Sequence, residues 1–222
     1  MALTIFEVQK FVNAESHAEL IIDMSHRDDF VNVNIDVTFP KLPCDVISLD
    51  ESDLLGTRKN DIMGTLKKNR LSKEGKVLST ENQMERNDFR RSVYERVKKE
   101  MDDKQGCQLI GTFQVYRVPG NFHIGSHQFG DIKGMLIREG YDFDFTYEIN
   151  HLSFGNMQDF EYIKENFHDL DMDHPADGVH VAPNHILDKE SGKMKPPAVK
   201  TNFYLVAVPS YFEKGFSRYH VY

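Results

Sequence analysis

The 222 residues contain no tryptophan and only two cysteines, Cys44 and Cys107. Without tryptophan the chain lacks the aromatic best suited to stacking on a sugar face, which weighs against a glycan site. Neither cysteine lies in a C-x-x-C pair, so thioredoxin-like exchange and a four-thiolate zinc site are excluded within this chain. No apolar run approaches the ~18 residues of a membrane helix; the longest is Phe203 to Val208. Met1 to Val12 lacks both the basic start and the long apolar core of a secretory signal. Taken alone, these absences describe a cytosolic protein. There is also no G-x-S-x-G elbow, no phosphate-cradling glycine loop and no H-E-x-x-H helix.

What is present is ordinary in amount and uneven in placement. The length suffices for one domain with a substantial core. The net charge of −8 argues against a general binder of nucleic acid or anionic membrane. Residues 56–104 hold 14 Lys and Arg against 9 Asp and Glu, whereas the remainder holds 13 against 26. A basic segment therefore sits on an acidic body. A solvated surface is the ordinary meaning of such a charge run.

Period-two alternation dominates the pattern. Val31, Val33, Ile35, Val37 and Phe39 alternate with Asn32, Asn34, Asp36 and Thr38, which predicts a half-buried strand. Tyr141, Phe143, Phe145, Tyr147 and Ile149 alternate with Asp142, Asp144, Thr146 and Glu148, which predicts a strand with an acidic outer face. Further strands are expected at Glu19–Met24, Cys44–Leu49, Gln108–Val118, Phe122–His127, His151–Phe154 and Phe203–Val208, with a turn at Pro119-Gly120-Asn121. Helical spacing is rarer. Asp88 can cap a helix carrying Phe89, Val93, Val97 and Met101, and Phe160, Ile163 and Phe167 suggest a shorter one from near Asp159. Gly64 weakens any helix through 61–71, and 71–87 reads as a mobile polar loop. Many short strands with one substantial helix predict a mainly β fold: a two-sheet antiparallel β-sandwich, with a small basic helical and loop excursion at about 56–104.

Candidate chemistry is sparse. His123 and His127 share parity on a strand, but four residues of strand span about 13 Å, too far for one zinc unless the chain bends at Gly125. Asp169, Asp171 and Asp173 begin like a calcium loop. His174 then stands where the turn glycine belongs and His180 where the bidentate glutamate belongs. Ser153 lies two residues from His151, a spacing that by itself builds no triad. Asp142 and Asp144 place like charges about 6.7 Å apart along an extended chain, with Glu148 four residues further on. Such a cluster is either a wet outer face or a surface for a cationic partner. No catalytic residue, metal or cofactor is implied.

Several strings occur together in a recognisable order: FPKLPCDVISLD (39–50), GCQLIGTFQVYRVPGNFHI (106–124), HLSFG (151–155), HPADG (174–178) and NFYLVAVPSYF (202–212). They resemble the luminal domain of the Erv-type cargo receptors that cycle between endoplasmic reticulum and Golgi, the ERGIC family, over roughly Val31 to Phe212. They also resemble the matching halves of plant and protist disulfide-isomerase hybrids, whose inserted thioredoxin domain has no counterpart here. The resemblance implies one luminal β-sandwich domain over 1–222, membrane-tethered through segments outside these residues. It implies a location facing the lumen of the endoplasmic reticulum, the intermediate compartment and the Golgi. It pairs Cys44 with Cys107 as a disulfide, a link worth about 4 kcal/mol in the chain-entropy model; two unrelated buried thiols are the alternative that the residues alone leave open. Implied partners are a sister subunit in a hetero-oligomer and cargo proteins, with no nucleic acid. Asp142, Asp144, Glu148, His123 and His127 are the candidate partner-binding residues. Histidines are candidates for binding that strengthens in the mildly acidic Golgi: His123 and His127 first, with His151, His174 and His180 in or beside the family-like strings. A lectin-like sandwich and an accessory domain of oxidative folding are the alternatives.

Overall fold

The computed structural model describes residues 30–53, 58–59, 64–82, 90–126, 129–166, 174–187, 194–195, 200–214 and 217–221, with the single residues 5, 7, 8, 19 and 192. The alternating segment at its start forms β1 (Phe30–Phe39), whose five apolar side chains from Val31 to Phe39 are all buried. β1 pairs along its whole length with β6 (Gly106–Tyr116), from Phe30 opposite Tyr116 to Phe39 opposite Cys107. On its other side lies β8 (Tyr147–Phe154), with a register shift between Asp36 and Val37. β4 (Lys67–Leu71), β5 (Val77–Asn82) and β9 (Val179–Val181) complete an antiparallel sheet of order β5-β4-β6-β1-β8-β9.

A second antiparallel sheet has β2 (Ser48–Asp53) between β3 (Arg58–Lys59) and β7 (Gly120–Gly125). It brings Leu49, Phe122 and Ile124 onto Val33, Ile35, Leu109 and Phe113 of the large sheet. Phe113 and Phe122 meet edge to face at 5.3 Å. This is the two-sheet antiparallel sandwich that the alternation predicts. Two helices cover the rest of the same apolar face. α1 (Arg90–Asp102) contributes Val93 and Val97, and α2 (Gly130–Arg138) contributes Ile132 and Leu136, packed with Val37, Phe39 and Cys107. α3 (Met157–Asn166) buries Ile163. Two short hairpins, β10 (Ile186–Leu187) with β11 (Met194–Lys195) and β12 (Ser210–Lys214) with β13 (Ser217–Val221), complete the described elements.

Several expectations change. The first half of the 141–149 strand is irregular, because Asp144 turns inward and accepts hydrogen bonds from the Thr146 N–H and hydroxyl. Cys44–Val46 is a single 3-10 turn preceding β2. Phe203–Val208 is not a strand; Tyr204 and Val206 are over nine-tenths exposed. Residues 67–82, expected as helix-poor chain and mobile loop, form the β4–β5 hairpin of the large sheet. Gly64 and Gly111 bring the chain before β4 against β6: a Cβ on Gly111 would lie 2.6 Å from the Thr65 carbonyl oxygen, and one on Gly64 would lie 2.2 Å from that of Thr112. α2 was not expected, since Gly130 and Gly134 mask its Ile132–Leu136 repeat. The expected Glu19–Met24 strand (Glu19 aside), Asp88, Phe89 and Phe167 lie outside the described residues.

Cys44 and Cys107 form a disulfide that closes 63 positions of sequence. Beside it, Asp45 is fully buried and accepts from Arg70 Nη2 at 3.2 Å and from Arg96 Nε. Arg70 also meets Glu100 at 2.8 Å and Glu81 at 3.0 Å. Lys68 donates to the carbonyls of Cys44 and Ile47. Burial pushes its ammonium down to about 8, against the opposing pull of Glu81, Glu100 and Asp50. Between about pH 8 and 10.5 the unfolded chain therefore holds the Lys68 proton longer than the folded one, so this group favours folding as pH rises. The unfolding free energy of wild type relative to Lys68→Met should thus move in favour of wild type from pH 8 to pH 10 in paired urea titrations. A constant difference across that range would show that Lys68 is not held charged in a desolvated site.

Candidate functional site

The face of the large sheet opposite the core carries the polar residues of β1, and these are joined to their neighbours in rows. Gln114 Nε2 donates to Asn32 Oδ1 at 3.2 Å. A longer row crosses five strands: Thr80 donates to Asn69 at 2.7 Å, Asn69 to Gln108 at 3.0 Å, and Gln108 to Asp36 at 2.8 Å. Asn150 then donates to Asp36 and to Thr38, each at 2.8 Å. Amides fixed from both ends cannot rotate freely, so this face is organised before any partner arrives.

A third row ends in an imidazole. Thr112 donates to Asn34 at 2.8 Å, and Asn34 Nδ2 donates to Ser153 Oγ at 3.1 Å. Ser153 Oγ lies 2.8 Å from His151 Nε2, and His151 Nδ1 lies 2.9 Å from Asp177 Oδ2. The tautomer that satisfies every partner has Nδ1–H donating to Asp177 and Nε2 accepting from the Ser153 hydroxyl. Asp177 also accepts the Leu152 N–H at 2.8 Å, which pins the 174–178 turn to β8. His174 packs edge-on against His151 at 4.8 Å and lies over Phe160 of α3 at 4.5 Å.

Serine, histidine and aspartate are thus connected in the order of a nucleophile, its base and the orienting carboxylate. Nucleophilic catalysis needs more: an open Oγ and donors for the oxyanion. Ser153 is buried, and its Oγ also touches Met157 Sδ at 3.4 Å. The Leu152 N–H is held by Asp177, the Gly155 N–H by the Asn32 carbonyl, and the Asn34 amide by Ser153 and the Gly155 carbonyl. The arrangement is a pin between strand, turn and helix. Ser153→Ala should lower stability by about 1–2 kcal/mol, the usual cost of stranding a buried donor. Wild-type protein should show no labelling of Ser153 by a fluorophosphonate; stoichiometric labelling there would make the triad a working nucleophile.

The carboxylates expected to share one face do not. Asp142 is exposed in the irregular segment, whereas Asp144 is buried and meets Lys41 Nζ at 2.7 Å. Burial alone would raise the Asp144 carboxyl, but hydrogen bonds from Lys41 and Thr146 outweigh it and hold the group below its ordinary value. His185 Nε2 lies 3.7 Å from the same carboxylate. Glu148 is exposed on β8, opposite Thr38 and His180. His123 sits in the other sheet, opposite Asp50. His127, Asp169, Asp171 and Asp173 lie outside the described residues. Among the described residues no group of three or more His, Cys, Asp or Glu is placed to hold a metal ion, and no helix is long and apolar enough to cross a membrane. Among the polar groups that sequence reading missed, Asn34 and Asp36 were signalled only by the polar half of the β1 alternation and Asp177 by the HPADG string, whereas Asn150 of β8 carried no signal.

The profile described as endoplasmic reticulum vesicle transporter matches residues 72–221, more than half of the chain. The chain belongs to this family. A second profile, described as Endoplasmic Reticulum-Golgi Intermediate Compartment (ERGIC), matches residues 1–60. Endoplasmic reticulum-Golgi intermediate compartment protein 1 of Xenopus laevis is 27% identical over 170 residues, covering 76% of this chain and 46% of that protein. The probable intermediate compartment protein 3 of Dictyostelium discoideum is 24% identical over 224 residues, covering 74% and 58%. Protein disulfide-isomerase 5-3 of Arabidopsis thaliana is 32% identical over only 62 residues, which are 28% of this chain and 13% of that one. Among solved structures, Erv41p aligns with a TM-score of 0.42 at 19% identity, over 76% of this chain and 69% of that one. The chain spans about half the length of the first curated relatives it matches. Membership in this transporter family places the protein in the early secretory pathway.

Proposed function

We propose that this chain is one lumen-facing, non-enzymatic domain of a cargo or retrieval receptor working between endoplasmic reticulum and Golgi. Its task is to recognise other proteins: a sister subunit and soluble cargo. The observation that carries this reading is the polar face of the large sheet. Its amides and carboxylates are fixed by one another across five strands, while its one serine–histidine pair is closed off by Asn34 and Met157. Such a face is preorganised for contact and ill suited to bond making. An accessory role in thiol exchange is disfavoured because both cysteines of the disulfide are buried.

Recognition on this reading uses Glu148 and Asp36 on the large sheet and Asp177 in the turn pinned to β8, with Asp142, Asp144 and His123 beyond it and His127 completing the set. Several carboxylates have an imidazole beside or opposite them: Asp177 has His151, Glu148 has His180, and Asp144 has His185. Protonating these rings offsets nearby negative charge, so the acidic body repels an acidic partner less. Proximity labelling from the full-length protein in cells should recover related transporter-family subunits and soluble residents of the endoplasmic reticulum. Recovery of cytosolic proteins alone would end the luminal reading. Binding of a recovered partner should strengthen several-fold from about pH 7 to about pH 6, the range in which ordinary histidine gains its proton. His151→Gln with His180→Gln should flatten that change, and a flat wild-type profile would remove histidine from the mechanism.

A further inference from the structure

We propose that Ser72, in the turn between β4 and β5, is a phosphorylation site for a protein kinase that reads a carboxylate two residues beyond its serine. Serine precedes glutamate at that spacing twice in the chain, at Ser72-Lys73-Glu74 and at Ser79-Thr80-Glu81. On a substrate held extended, side chains two residues apart lie on one side, about 6.7 Å from each other. A basic group of the kinase that grips the glutamate therefore places the serine hydroxyl for transfer. The structure separates the two candidates. Ser79 lies within β5, opposite Arg70 of β4, and Glu81 meets Arg70 at 3.0 Å. That guanidinium also holds Asp45 and Glu100, so gripping Glu81 would disturb a buried network. Ser72 lies in the 72–76 turn instead. Lys73, Glu74, Gly75 and Lys76 are exposed there, and the Ser72 hydroxyl already adjoins Glu74, donating to its Oε2 at 3.0 Å.

The turn also suits the product. Ser72 Oγ accepts the N–H of Glu74 at 3.3 Å and that of Lys76 at 3.2 Å. The Ser72 N–H closes the turn on the Lys76 carbonyl at 2.8 Å, and a Cβ on Gly75, at φ 80°, would meet nothing within 4 Å. In the transfer, a P–O bond forms between Ser72 Oγ and the γ-phosphorus of a nucleoside triphosphate as the bond to the bridging β–γ oxygen breaks. The nucleoside diphosphate leaves, and the hydroxyl proton passes to the kinase's base. The phosphate carries about −1.5 to −2 charge near pH 7, on oxygens that accept hydrogen bonds strongly. The Glu74 and Lys76 N–H groups then bond an anion in place of a neutral hydroxyl, Lys73 and Lys76 supply ammonium groups within the same turn, and the Glu74 carboxylate is repelled. Lys73, Glu74 and Lys76 together carry +1, so with the phosphate the turn carries about −1. The tip of the basic segment thereby takes the sign of the acidic body, which weakens any contact that depends on its being basic.

This site goes beyond the recognition reading and stands or falls apart from it. Full-length protein is isolated from its native cells under phosphatase inhibition, and the Asp-N peptide 61–87 is sequenced by mass spectrometry. Phosphate should be found on Ser72, be absent from Ser72→Ala, and fall about tenfold or more in Glu74→Gln, which removes the charge that the kinase grips. Glu74→Gln should keep the wild-type melting temperature, because Glu74 is exposed. In phosphorylated protein the Glu74 and Lys76 amides should exchange about threefold or more slowly than after phosphatase treatment. A peptide without phosphate, or with phosphate on Ser79 or Thr80 rather than Ser72, would overturn the proposal. Undiminished phosphate in Glu74→Gln would overturn it as well. Trypsin added to sealed microsomes separates the site from the compartment. A protected but unmodified protein defeats the site alone, whereas a modified protein digested from outside keeps the site and ends the luminal reading.

Discussion

Asp45 follows a disulfide-bonded cysteine and has no exposure to water, so its charge must be answered within the protein. Two arginines from different elements answer it: Arg70 from β4 and Arg96 from α1. Arg70 then reaches Glu100 on α1 and Glu81 on β5, so one guanidinium joins the turn before β2, the β4–β5 hairpin and the helix. The disulfide ties the same turn to β6. Buried ion pairs add little net stability compared with apolar replacements, yet losing one partner costs about 3–5 kcal/mol. The cluster is therefore better understood as setting which elements meet than as a surplus of stability. The rest of the large sheet's basic end depends on it.

This arrangement explains what sequence reading reached and what it did not. β1, β6 and the second half of the 141–149 strand were legible because each buries one face and wets the other, which a period of two reports directly. α1 was legible from Val93 and Val97. The β4–β5 hairpin was not, because Lys68 and Arg70 sit inward and are matched by polar groups from other elements; a pattern of hydrophobicity cannot see a buried cation whose partners, such as Asp45, Glu100 and the Cys44 carbonyl, lie in other segments. α2 was hidden by its two glycines. Phe203–Val208 failed in the opposite sense: strand-forming residues alone do not supply a neighbouring strand, and none pairs with it among the described residues. At the candidate site, the family-like strings located His151, Ser153 and Asp177 without revealing that a turn 25 residues on brings them together.

The polar rows and the charge cluster have a common consequence. Both fix side chains and strand edges at the surface of the large sheet, one on its outer face and one at its basic end. Rigidity of this kind suits the recognition role proposed above, since little binding energy is left if loops must first be ordered. It is also consistent with membership in a transporter family of the early secretory pathway.

Native-state hydrogen exchange on Asp45→Asn tests the organising role of the cluster most directly. With one carboxylate neutralised, protection should fall together at 67–71, 77–82 and 90–102, while the β1–β8 pairing keeps its wild-type protection. Loss confined to the residues beside position 45, with the hairpin and α1 unchanged, would contradict the claim that this buried charge holds them to the sheet.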